Sequence, residues 1–138
     1  MLRIREALEA SWDVNTAYKA VERPGNPALG QCYPTARVVQ HYFPESEIIK
    51  GKIWTSECEE IHFWNAIPLG GEWIHVDLSW KQFPPGSIIR EFVELDRSSL
   101  GDTDATLQRC DLLLKRVRNY LDTQIDSTEM PPIFISSR

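Results

Sequence analysis

The sequence predicts an α+β fold, with helices near both ends of the chain and an antiparallel sheet between them. Three observations predict it. Apolar residues recur at helical spacing before residue 44 and after residue 103, strand-like segments fill 47–95, and Leu69-Gly70-Gly71 reads as a hairpin turn. With 138 residues the whole chain, 1–138, is expected to form a single domain with one core.

Leu2 to Ser11 reads as the first helix, with Leu2, Ile4, Ala7, Leu8 and Ser11 near helical spacing. A proline-bearing loop from Asp13 to Gly30 follows, ending in Asn26-Pro27-Ala28-Leu29-Gly30. Next, Cys32, Ala36, Val39 and Phe43 recur at helical spacing, while Arg37, Gln40 and His41 are expected to face water. Pro34 fits only a first turn, where its missing N–H has no intrahelical partner, so this helix starts near Cys32 and Pro44 stops it. Strands are predicted at Glu47–Trp54, Glu60–Pro68 and Glu72–Trp80, with one more at Ser87–Leu95. From Thr103 to Leu121 the period returns to helical, with Leu107, Cys110, Leu114, Val117 and Leu121 as the apolar stripe and Asp102 or Thr103 as N-cap. Beyond Thr123 the tail is polar and ends near Pro131-Pro132.

Composition narrows the function. The chain is 42% hydrophobic and 25% charged, with a net charge of -5 and no Lys/Arg block, which argues against nucleic acid or an anionic membrane as partner. Met1 to Glu6 has no apolar leader pattern, and no run approaches the ~18 apolar residues of a membrane span, so a cytoplasmic location is expected. Cys32, Cys58 and Cys110 are odd in number and scattered, unlike a disulfide framework or a C-x-x-C motif.

Strand parity is where chemistry enters. His62, Trp64 and Ala66 share one face of their strand, and Trp73, His75, Asp77 and Ser79 share one face of the next. With Leu69-Gly70 as the turn, His62 lies opposite Asp77; with Gly70-Gly71, Trp64 does and His62 is diagonal. Either two-residue turn keeps His62 and Asp77 within reach of each other. A three-residue turn would not.

A thiol near its free pKa of about 8.5 is mostly protonated at neutral pH and a poor nucleophile. A helix N-terminus and a neighbouring imidazolium both favour thiolate, and a carboxylate orients the imidazole. Cys32, His62 and Asp77 supply each role once. Backbone N–H groups at the same helix start are candidate oxyanion donors. Gln31 and Asn26 are candidate donors to an oxyanion or substrate amide, or alternatively satisfy loop backbone groups. Trp64, on the face of His62, is a candidate substrate contact, although tryptophans are more often core.

Plainer roles account for the remaining groups. Cys58 lies among Glu57, Glu59 and Glu60, which disfavour thiolate, and Cys110 continues an apolar stripe. His75 is the rival base, with a structural hydrogen-bonded role as the simpler assignment, and His41 is read as a solvated helix residue. Cys32, His62, His75 and Asp77 are residue types zinc accepts, but the short ligand spacings are missing. No cofactor is expected.

Gly30-Gln31-Cys32-Tyr33, His62-Phe63-Trp64 and Trp73-Ile74-His75-Val76-Asp77-Leu78-Ser79 resemble the ordered motifs of transglutaminase-like proteins, relatives of papain-type proteases. More closely, Ala7-Leu8-Glu9-Ala10-Ser11-Trp12, Asn26 to Cys32 and the His62 to Phe83 segment are similar to the YunG-like family of small bacterial proteins. The resemblance covers roughly Ala7 to Phe83. It implies a papain-like core whose helix carries the cysteine at its N-terminus, with Cys32 as nucleophile, His62 as base and Asp77 as orienting acid. Tyr33 stands where large transglutaminases favour Trp, Pro34 follows it, and Asn65 replaces an acidic residue after Trp64. The chain also has no EF-hand type calcium loop, so protein cross-linking is not expected. A thiol-dependent hydrolase, deamidase or transferase acting on a peptide, amide or thioester is the function expected. Its rivals are an inactive binding module for a peptide or protein and, more weakly, a metal-dependent hydrolase.

Overall fold

The computed structural model describes residues 2–17 and 30–127. Asn26, the Pro27–Leu29 run and the Pro131-Pro132 tail lie outside the described residues. The fold is α+β. Helices α1 (Leu2–Ser11) and α2 (Cys32–Tyr42) precede strands β1 (Glu47–Trp54), β2 (Glu59–Leu69), β3 (Glu72–Val76) and β4 (Ile88–Glu94), and α3 (Asp104–Ser127) follows. The strands form one antiparallel sheet in the order β3-β2-β1-β4. Among the described residues no helix is long and apolar enough to cross a membrane.

Apolar burial divides the molecule in two. Ile4, Ala7 and Leu8 of α1 meet Val38 and Val39 of α2 and Leu113 and Val117 of α3, closed by Trp12. On the other face of the sheet Ile49, Ile53, Trp64, Ala66 and Phe83 form a second cluster, with Trp80 against it. Alternation along β1 feeds the second cluster: Ile49, Gly51 and Ile53 are buried while Lys50 and Lys52 are exposed.

Cross-links fix α2 in place. The Trp12 indole N–H donates to Thr35 Oγ1 at 2.9 Å, and Asn65 Nδ2 donates to the Ala36 carbonyl at 2.9 Å. At the other end of the site, Asp102 accepts from the Tyr33 hydroxyl at 2.6 Å and pairs with Arg37. Arg37, expected to face water, is therefore partly buried in a clamp between α2 and the approach to α3. With Asp102 so engaged, Thr103 caps α3, its Oγ1 accepting from the Thr106 N–H at 3.2 Å. The buried side of α3 runs through Cys110, Leu113 and Val117, so Leu113 belongs in the stripe, and Leu107, expected there, is 40% exposed.

Gly70-Gly71 makes the hairpin turn, since Leu69 pairs with Glu72 and the two glycines carry φ of +62° and +84°. Two successive positive φ angles are what a tight hairpin of this hand requires. The strand expected to reach Trp80 ends at Val76. Asp77 Oδ1 accepts from the Ser79 N–H at 3.2 Å, a local turn that replaces the ladder, and Trp80–Gln82 form a 3-10 turn.

The sheet is strongly curled. His75 and Phe92 lie on the two edge strands, about 14 Å apart across three spacings in a flat sheet. Their ring centroids are instead 5.1 Å apart, with the Trp64 indole touching both. Gly51 makes room: a Cβ there would come within 2.4 Å of the Trp64 ring. Gly51→Ala is accordingly expected to cost about 1–3 kcal/mol through overpacking. Chemical denaturation reads this as a lower midpoint, and an unchanged midpoint would contradict the close approach of indole and strand.

Candidate active site

Cys32 is the first residue of α2 and is partly exposed. Pro34 sits in the first turn, as its missing N–H demands, and the Thr35 N–H starts the helical ladder by donating to the Gln31 carbonyl at 3.0 Å. The side chain of the N-cap residue, Gln31, makes no capping hydrogen bond at this helix start.

His62 projects from β2 and is 0% exposed. Trp64 stacks on it at 5.6 Å, and Phe83 and Trp80 meet it edge-on at 4.7 and 6.1 Å. An imidazole so enclosed needs partners for both nitrogens. Its Nε2 is 2.7 Å from Asp77 Oδ2, and its Nδ1 is 3.3 Å from Gln82 Nε2. A carboxylate only accepts, so Nε2 carries the proton and donates to Asp77. The Gln82 amide nitrogen also donates to the Ser79 carbonyl at 3.2 Å, which fixes the amide's orientation. Burial, the largest influence, drives the His62 pKa down, but the hydrogen bond to Asp77 and the influence of the Cys32 sulfur outweigh it and raise the value to about 9.

Cys32 and Gln82 stand at one end of a cleft of about 600 Å³. Tyr33, Ile61 and Phe63 line it, and the Tyr33 and Phe63 rings meet edge-on at 4.9 Å. Lys50 from the sheet and Arg109 from α3 add charge to its walls.

The structure thus brings Cys32, His62 and Asp77 together: the hairpin turns at Gly70-Gly71, and Asp77, just past the end of β3, reaches His62 from the turn that follows. Other expected contacts are redirected. Gln31 is 1% exposed; its amide donates to the Asp13 carbonyl at 2.9 Å and accepts from the Thr16 hydroxyl at 2.7 Å. It therefore satisfies the loop. Trp64 is 2% exposed and backs the His62 ring instead of presenting a surface to substrate. The rival base His75 is an exposed residue, its Nδ1 accepting from the Trp64 indole N–H at 2.8 Å. Cys58 is exposed and donates to Glu60 at 3.6 Å, while burial raises the Cys110 pKa to about 11. Among the described residues no group of three or more His, Cys, Asp and Glu side chains is placed to hold a metal ion.

A family model described as YunG protein matches residues 1–122. The chain belongs to the YunG family. The matched region contains every residue of the site and the cleft. No curated protein and no solved structure matches the chain.

Gln82, Trp80 and Phe83 are site residues of this YunG chain that sequence parity missed. Their signal was position alone, within six residues of Asp77.

A raised histidine pKa in the folded state has a definite sign. The stabilisation is full below the ordinary value of 6.5 and is lost as pH rises through about 9. The His62 ring is expected to titrate near pH 9 by NMR, and lower in both Asp77→Asn and Cys32→Ala. A midpoint unmoved by Cys32→Ala would show that sulfur and ring are not coupled.

Proposed function

We propose that this YunG protein is a thiol-dependent acyl-transfer enzyme with a papain-like, transglutaminase-like core and a Cys32–His62–Asp77 triad. The observation that carries it is the buried His62 ring, held by Asp77 at 2.7 Å and electrostatically coupled to a partly exposed cysteine that lines a cleft. Nucleophile, base and orienting acid are each supplied once, on rigid elements.

In this scheme the Cys32 sulfur attacks the carbonyl carbon of an amide or thioester, and the carbonyl π electrons move onto oxygen. The uncapped first turn of α2 supplies backbone N–H donors to that oxyanion, beside the Gln82 amide. Collapse re-forms the carbonyl and breaks the C–N or C–S bond, the leaving group taking its proton from the imidazolium. Water or an acceptor amine then attacks the thioester carbon, gives its proton to His62 and releases Cys32. Asp77 keeps Nε2 occupied, so Nδ1 is the nitrogen that moves the proton. All three cysteines are free thiols, which suits a cytoplasmic setting and a peptide, amide or thioester substrate.

Competitive labelling tests the proposal. Cys58 is the more exposed thiol, so accessibility alone would favour it. With iodoacetamide near pH 7, Cys32 is expected to react at least about tenfold faster than Cys58 and Cys110, and to lose most of that advantage in Asp77→Asn. Equal or slower labelling of Cys32, read by peptide mass spectrometry, would overturn it.

A further inference from the structure

We infer that the cleft beside Cys32 accepts an acyl substrate with an apolar body ending in a carboxylate, and that Lys50 receives the carboxylate. The inference rests on the reading of Cys32 as nucleophile and assigns the class of substrate delivered to it.

The sheet gives the cleft Lys50 from β1 and Glu60, Ile61 and Phe63 from β2. Lys50 of β1 pairs with Phe63 of β2 on one side and Val93 of β4 on the other. Val93 beside Lys50 is 60% exposed, and Ile61, paired with Lys52 one row along the strand, is 50% exposed, so apolar side chains lie open beside the Lys50 ammonium. Leu95 and Leu100 continue that apolar lining. A cation flanked by hydrocarbon holds an anion better than one surrounded by water, because the covering ligand excludes solvent.

Charge on the other walls leaves Lys50 as the receiving group. Its neighbour along β1, Lys52, is paired with Glu91 at 3.3 Å. Among the described residues no carboxylate lies within ion-pair distance of Lys50. Of the two acids that line the cleft, Asp102 is taken up by Arg37 and the Tyr33 hydroxyl. The other, Glu60, lies three residues along β2 from Phe63, on the order of 10 Å away along the strand. Arg109 adds a second cation to the same cavity. On a chain of net charge -5 the surface as a whole disfavours anions, so a cationic apolar cleft selects for one locally.

Register also sets the length. Tyr33, the residue after Cys32, touches Phe63, and Lys50 lies one strand spacing of about 4.8 Å beyond it. Sulfur and ammonium are therefore on the order of 10 Å apart, the reach of a short acyl chain and not of a long lipid.

Two maleimides of matched length test this: 6-maleimidohexanoate, which ends in a carboxylate, and N-hexylmaleimide, which does not. The measured quantity is the ratio of their second-order rates at Cys32, with Cys58 in the same protein as reference. The ratio is expected to be higher at Cys32 than at Cys58, to fall about three- to fivefold in Lys50→Met, and to recover in Lys50→Arg. Lys52→Met, which removes a paired charge outside the cleft, should leave it unchanged. A ratio that does not respond to Lys50→Met while Cys32 still outpaces Cys58 overturns the carboxylate assignment and leaves the nucleophile reading standing. Labelling of Cys32 no faster than Cys58 by either probe overturns both.

Discussion

The site depends on one buried imidazole. A histidine with no exposed surface tends to lose its proton, because burial penalises the cation and leaves the neutral ring. Asp77 reverses that tendency by accepting from Nε2 at 2.7 Å. Much of the surrounding architecture follows from keeping that pair dry and oriented. Trp64 and Phe83 close over the ring, and Gly51 gives the indole its space. The turn at Asp77–Ser79 ends β3 early enough for the carboxylate to leave the ladder and reach His62.

Sulfur and ring come from opposite halves of the molecule. Cys32 is set by the three-helix core, whereas His62 is set by the cluster on the curled side of the sheet. Their alignment is only as good as the docking of α2 on β2. Asn65 donates to the Ala36 carbonyl across that junction, and Trp12 to Thr35 and the Tyr33–Asp102–Arg37 cluster tie α2 to the chain after α1 and before α3. Directional bonds fix rotation and slide in a way that hydrophobic packing does not, so they locate the helix start to within the tolerance a proton transfer needs.

Local periodicity made α1, α2 and β1 readable in the sequence, because their boundaries are written in proline, glycine and alternation. Parity on two strands was enough to pair His62 with Asp77. Where the sequence left alternatives open, long-range contacts decide between them. Asp102 was a reasonable cap until Tyr33 and Arg37, more than sixty residues earlier, claimed its carboxylate. Gln31 stands next to the nucleophile in sequence, yet its amide is committed to Asp13 and Thr16. Trp64 shares the face of His62, but curl turns that face inward. Gln82 was missed for the opposite reason: the 3-10 turn after Asp77 breaks strand parity and brings it back onto the ring.

Gln82 also gives the proposed proton transfer a direction. Its amide nitrogen lies 3.3 Å from Nδ1, where it can donate to the neutral ring and opposes a proton on that nitrogen, against the pull of Asp77 that raises the ring's pKa. Turning the amide over would set its carbonyl against the Ser79 carbonyl and lose the 3.2 Å bond that now holds it. Asp77 occupies Nε2, and in the proposed transfer a proton on Nδ1 passes to or from the Cys32 sulfur, which is coupled to the ring. The ring is thereby held between two states. The amide favours the neutral imidazole with a thiol beside it, and the sulfur and Asp77 favour the imidazolium with a thiolate. A leaving group that enters at the sulfur is placed to take the same proton from Nδ1.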